Sequence, residues 1–230
     1  MAIDGLRNKQ ARGQGRDLAA FPPLRLLGER LCFHFANTVE SRLGDDRRDF
    51  LEGYADLAKW SHHARVLDRT QLERLLAEAE HRPAEARATF ERALALRDVI
   101  YRLFCAIARG EALDAIDIAA LEREHRAAFD NARLVPTDAG FRWQWVEGDE
   151  LDRMLWPVVR SAVEVLTEES PARVKECPGT GDCGWLFYDT SKNGTRRWCS
   201  MEGCGSRAKM RRQYARHRSA KRGVPAAAVT

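Results

Sequence analysis

No run of the ~18 apolar residues needed to cross a bilayer occurs anywhere in the 230 residues. The opening segment MAIDGLRNKQARGQGRDLAA lacks the apolar block of a secretory signal, so a cytoplasmic protein without membrane contact is expected. With only 16 Gly and 8 Pro, collagen-like and mucin-like chains are excluded, and a 44% hydrophobic share excludes wholesale disorder. Internal repeats and low-complexity tracts are absent. So are a Gly-rich phosphate loop, a nucleophile elbow and a His-Glu-x-x-His pair. No catalytic constellation is visible, and an enzyme is not expected.

Cysteine is scarce, yet four of the six lie together at positions 177, 183, 199 and 204. Cys32 and Cys105 stand alone in apolar contexts and read as packed thiols. Charge divides at the same place. Between Arg173 and Arg222 there are 13 Lys/Arg against 4 acids, a net +9, which leaves −5 for the rest of a chain whose total is +4. A locally positive field attracts polyanions whatever the total.

Apolar spacing predicts a mainly α-helical first part. A helix is expected from about Gly28 to Gly44, a second around Tyr54–Trp60, and a third capped by Asp68 or Thr70. Pro83 opens the longest run, which closes at Gly110, and Asp114 or Asp117 starts another that ends near Phe129. Phe141, Trp143 and Trp145 alternate with polar residues and predict a small β-hairpin. Helix returns from Leu151 to Leu166, with Pro157 marking a kink or a restart. The expected organisation is a loose tail over 1–20, a helical domain over 21–171, a basic module over 172–222 and a tail over 223–230.

The spacing Cys177-x5-Cys183-x15-Cys199-x4-Cys204 forms two close pairs on Gly-rich turns. Four sulfurs suit one tetrahedral Zn²⁺ at ~2.3 Å and leave no open position for a water, so a structural ion is expected. Between the pairs, WLFYDTSKNGTRRW offers two β-prone runs around Lys192-Asn193-Gly194. The module reads as knuckle, hairpin, knuckle and basic helix, a treble-clef-like finger. Trp185, Leu186, Phe187, Trp198 and Met210 are too few for a core of their own, so the metal should hold it folded.

GSRAKMRRQYARHRSAKR carries eight Lys/Arg and no acid. Ser206 is placed to cap a helix with Met210 and Tyr214 as its inward stripe. The expected nucleic-acid residues are Arg196, Arg197, Arg207, Lys209, Arg211, Arg212 and Arg216. DNA is favoured over RNA as partner, and a solvated helix offsetting the zinc centre is the alternative.

The segment CGWLFYDTSKNGTRRWCSMEGCGSRAK resembles the CGNR zinc finger, with Cys204-Gly205-Ser206-Arg207 at the signature and Ser206 in place of Asn. Upstream, LCFHFANTVESR resembles the opening of the ABATE domain, with His34 where that family commonly has an acid. The resemblance covers about residues 25–215 and implies a bacterial, stress-induced transcription regulator. Regulators couple a DNA-binding tip to a part that senses an effector or dimerises; His34, Asn37 and Arg42, with Trp143 and Trp145 as pocket walls, are the candidate ligand residues. A protein-interaction adaptor and a small-molecule-binding protein are the competing readings.

Overall fold

The computed structural model describes residues 21–22 and 24–221, with side chains to residue 218. The expected tails at 1–20 and 223–230, and Arg222, lie outside the described residues. Chain order is α1 (Leu31–Ala36), β1 (Val39–Glu40), β2 (Arg48–Asp49), α2 (Tyr54–His63), α3 (Arg69–His81), α4 (Pro83–Arg109), α5 (Ala115–Phe129), β3 (Ala132–Thr137), β4 (Gly140–Trp145), α6 (Leu155–Glu168), β5 (Val174–Glu176), β6 (Leu186–Tyr188) and α7 (Ser206–Lys221). The mainly α class with a four-cysteine finger is as expected.

Local chemistry sets the middle helices. Asp68 accepts from Gln71 N at 2.8 Å while Gln71 accepts from Asp68 N at 2.9 Å, a capping box that starts α3. Asp114 accepts from Ile116 N at 2.8 Å and starts α5. Pro83 occupies the first turn of α4, where its missing N–H costs nothing, and Gly110 closes the helix in the left-handed region at φ 70°. Pro157 marks a restart: α6 begins at Leu155, so the proline sits in its first turn.

The first helix is shorter than its periodicity. Glu29 has φ 66°, so helix cannot run back to Gly28, and α1 stops at Ala36. Gly28 has no room for a side chain, because a Cβ there would stand 2.6 Å from Phe33 Cβ. Its N–H donates to His34 Nδ1 at 3.2 Å, and burial pushes the His34 ring down to about 4, which keeps it a neutral acceptor. Beyond Ala36 the backbone turns into β1, which pairs antiparallel with β2 in the register Val39 to Asp49.

The core centres on α1, α4 and α6. Phe33 meets Phe104 edge-on at 4.8 Å and Phe35 meets Trp60 at 5.1 Å. Cys32 and Cys105 are buried thiols, pushed by burial to about 12 and about 11. The same apolar cluster continues without a break into Val174, Trp185, Leu186 and Phe187. Among the described residues no helix is long and apolar enough to cross a membrane.

Candidate functional site

The four cysteines arrive on two turns. Cys177 N donates to Trp185 O at 2.8 Å and Gly184 N donates to Cys177 O at 3.0 Å, so the first knuckle closes off the β5–β6 ladder. This corrects the expected pairing: β6 pairs with β5, in the register Lys175 to Phe187, and not with the run that follows Gly194. Residues 195–198 instead form an irregular connector with no strand in it. It is held by Lys175, whose ammonium donates to Asp189 at 2.6 Å, to Arg196 O at 3.0 Å and to Gly194 O. Burial opposes charge on Asp189, but Lys175 and the Ser191 hydroxyl hold its carboxyl well below the usual carboxylate range.

The second knuckle is a π-helical turn, Met201–Gly205, capped by Ser200, whose hydroxyl accepts from Gly203 N at 3.2 Å. It runs straight into α7. Ser206 is therefore not a cap: it has helical backbone angles, and its hydroxyl donates to Met201 O at 3.0 Å.

All four sulfurs are buried and lie within 4.8 Å of one another. The Cys183–Cys199 and Cys199–Cys204 separations are 3.8 Å and 3.7 Å. A tetrahedron of sulfurs at ~2.3 Å from zinc has edges of about 3.8 Å, so the geometry fits one ion. The cluster is the zinc site of the finger, and its four protein ligands fill the coordination shell of a structural ion.

The first knuckle is clamped to the helical part. Arg42 N and Leu43 N donate to Cys183 O and Asp182 O, each at 3.0 Å. Trp185 Nε1 donates to Val39 O at 2.8 Å, and Arg109 donates twice to Glu176, at 2.8 and 2.9 Å. Gly184 makes this approach possible: at φ +69° its missing Cβ would stand 2.9 Å from Leu43 and 3.0 Å from the Tyr101 hydroxyl.

The proposed ligand residues do not converge on a cavity. Asn37 is buried, donating to Leu186 O at 2.8 Å and accepting from Leu186 N at 2.9 Å, so its amide stands in for a neighbouring strand. Arg42 donates to Ala36 O at 2.7 Å and stacks over Tyr101 at 3.9 Å. His34 is committed to Gly28. Trp143 packs on Phe129 and Trp145 on Trp156, so the two tryptophans wall no common pocket. A cavity of about 720 Å³ lies elsewhere, between α2, α3 and the start of α4, with Tyr54, Lys59, Leu76, Arg87 and Phe90 in its walls. Replacing Asn37 with alanine leaves two main-chain groups of Leu186 unpaired in the core. A loss of about 3 kcal/mol in chemical denaturation is expected; a loss below about 1 kcal/mol would show that the amide does not hold β6.

The basic residues fall into two sets. Arg196 faces inward: it donates to Cys199 O, to Trp198 O at 3.0 Å and to Glu29 at 3.0 Å, with its guanidinium 4.7 Å from the Phe187 ring centre. Arg207 donates to Cys204 Sγ at 3.1 Å and Arg211 to Thr180 O, so this flank of α7 faces the metal and the first knuckle. Lys209, Arg212 and Arg216 share the other flank, are exposed, and have no ion-pair partner among the described residues. Arg197 lies 5.6 Å from the Trp198 ring centre. The inward stripe expected of Met210 and Tyr214 is absent; they are 56% and 67% exposed, and Ala208 is the buried residue among the described side chains of α7. A side chain as short as alanine is what a helix presents where it leaves a turn at close quarters.

Residues 29–169 match the family model described as "Putative stress-induced transcription regulator", the ABATE domain, and residues 173–217 match the CGNR zinc finger. A search of curated proteins found no match. Because the first match spans more than half of the chain and the four sulfurs fall inside the second, the chain belongs to the ABATE family and carries a CGNR zinc finger.

Proposed function

We propose that this chain is a DNA-binding transcription regulator whose finger presents α7 to the major groove, while the helical part sets the response. One observation carries the reading. From residue 209 to residue 218 every side chain of α7 is exposed, and five of the ten are Lys or Arg with no acid among them. A lone helix of this length is marginal in water, and like charges three and four apart weaken it further. An anionic partner relieves both costs.

DNA fits better than RNA. Sixteen helical residues extend about 24 Å at ~1.5 Å per residue, and the major groove of B-DNA admits a helix, whereas the deep, narrow major groove of A-form RNA does not. Lys209, Arg212, Arg216 and Arg197 are placed for phosphates. The cavity between α2, α3 and α4 is of a size that takes a small molecule, which supports a sensing role for the helical part.

Titrating the zinc-loaded chain with duplex DNA between about 50 and 200 mM salt tests the proposal. Four or five phosphate contacts give a log–log slope of about −4. Salt-independent affinity, or capture of an acidic protein with no duplex binding at low salt, rejects it.

A further inference from the structure

Seven of the eleven large hydrophobic side chains that are exposed among the described residues lie between Leu113 and Trp143. Four of them gather on one ledge. The register of β3 with β4 sets Leu134 opposite Trp143 and Pro136 opposite Phe141, and opposed residues share a face. That face reads Ala132, Leu134 and Pro136 on one strand and Phe141, Trp143 and Trp145 on the other, apolar throughout. Its inner end is covered, with Ala132 buried and Trp145 against Trp156 at 5.9 Å. The outer end overhangs the body: Leu134 is 54% exposed, Phe141 70% and Trp143 42%, with Phe129 of α5 beside Trp143 at 4.6 Å.

We infer that this ledge is a docking surface for a second copy of the chain, joined about a two-fold axis. Two arguments select that occupant. Phe129, Leu134, Phe141 and Trp143 expose roughly half of ~200 Å² each, or about 400 Å² together, which is close to the apolar half of the ~800 Å² that each partner gives a stable interface. The rim supplies the second argument. Exposed Glu122 and Arg126 lie on the same face of α5 as Phe129, seven and three residues before it, one charge of each sign. A surface meant for a polyanion or an acidic protein carries one sign, whereas an isologous contact must complement itself. A two-stranded ribbon is marginal by itself, and a second ribbon packed face to face covers the apolar side chains it leaves in water. The inference goes beyond the regulator reading and does not depend on DNA binding.

Light scattering and sedimentation of the full zinc-loaded chain test it without nucleic acid. A dimer mass is expected for the natural sequence. Phe141→Glu with Trp143→Glu is expected to weaken the dimer at least about thirtyfold, as loss of two central anchors does, with zinc content and helical signal unchanged. Leu134→Arg is a second, single change with the same expected direction. Ile116→Glu, at the opposite end of α5 on a residue 77% exposed, is expected to remain a dimer. A monomeric natural chain overturns the inference. A dimer that survives the changes at Phe141, Trp143 and Leu134 overturns the surface alone, as does dissociation of the Ile116 control.

Discussion

Stripping zinc from the chain, or replacing Cys204 with serine, is expected to release the second knuckle and α7 while β5 and β6 stay in place. The contrast follows from what holds each part. β5 and β6 carry Val174, Leu186 and Phe187 into the main apolar cluster, and the first knuckle is bonded to Arg42 and Leu43. The π turn of Met201–Gly205 has Cys204 as its only buried apolar anchor, and α7 buries only Ala208 beyond it among the described residues. Zinc binding to such sites is worth on the order of 10 kcal/mol, far more than those contacts supply. Elemental analysis of the loaded protein should return one zinc per chain. Hydrogen exchange after chelation should show residues 199–218 losing protection and residues 174–188 keeping it. Unchanged exchange in 199–218 would mean that the sulfurs are not what fixes α7.

Reversing the charges of Lys209, Arg212 and Arg216 to Glu should lower duplex affinity on the order of a thousandfold at low salt and flatten the salt dependence by about 3 in log–log slope. These three residues share a flank turned away from the sulfurs, so zinc content and helical signal should hold. Arg207 and Arg211 behave differently. Their guanidiniums are spent on Cys204 Sγ and Thr180 O, so alanine at either position should loosen the metal centre before it touches nucleic acid. Duplex affinity unchanged by the triple reversal would remove α7 from the interface. Loss of zinc in the same variant would show that the two flanks are not separate.

That division of one basic helix into two flanks shows where sequence reading stops. The cysteine spacing and the turn glycines made the metal site legible, because thiolates in close pairs have few other uses in a chain of this kind. Pro83 at a helix start and Gly110 at its end were equally legible, and the caps were narrowed to Asp68 or Thr70 and to Asp114 or Asp117, since those residues act within one turn of themselves. Periodicity failed at Asn37: the apolar pattern continues past it, but the amide is claimed by Leu186, 149 positions away, and helix gives way to strand. The same long reach moved the strand partner of β6 from the segment after it to β5, and turned Arg196 from a surface cation into a clamp on Trp198 and Cys199.

By itself, the sequence determined the elements whose cause is local: capped helices, the β3–β4 hairpin, the sulfur quartet and the excess of positive charge around it. Tertiary structure alone decided which arginines are consumed inside and which stand free, that Met210 and Tyr214 face solvent, and that the aromatic ledge of the hairpin overhangs the body. The physical reason is common to all three. A side chain's own spacing says which face of an element it shares, but whether that face is covered depends on segments far along the chain that only folding brings against it.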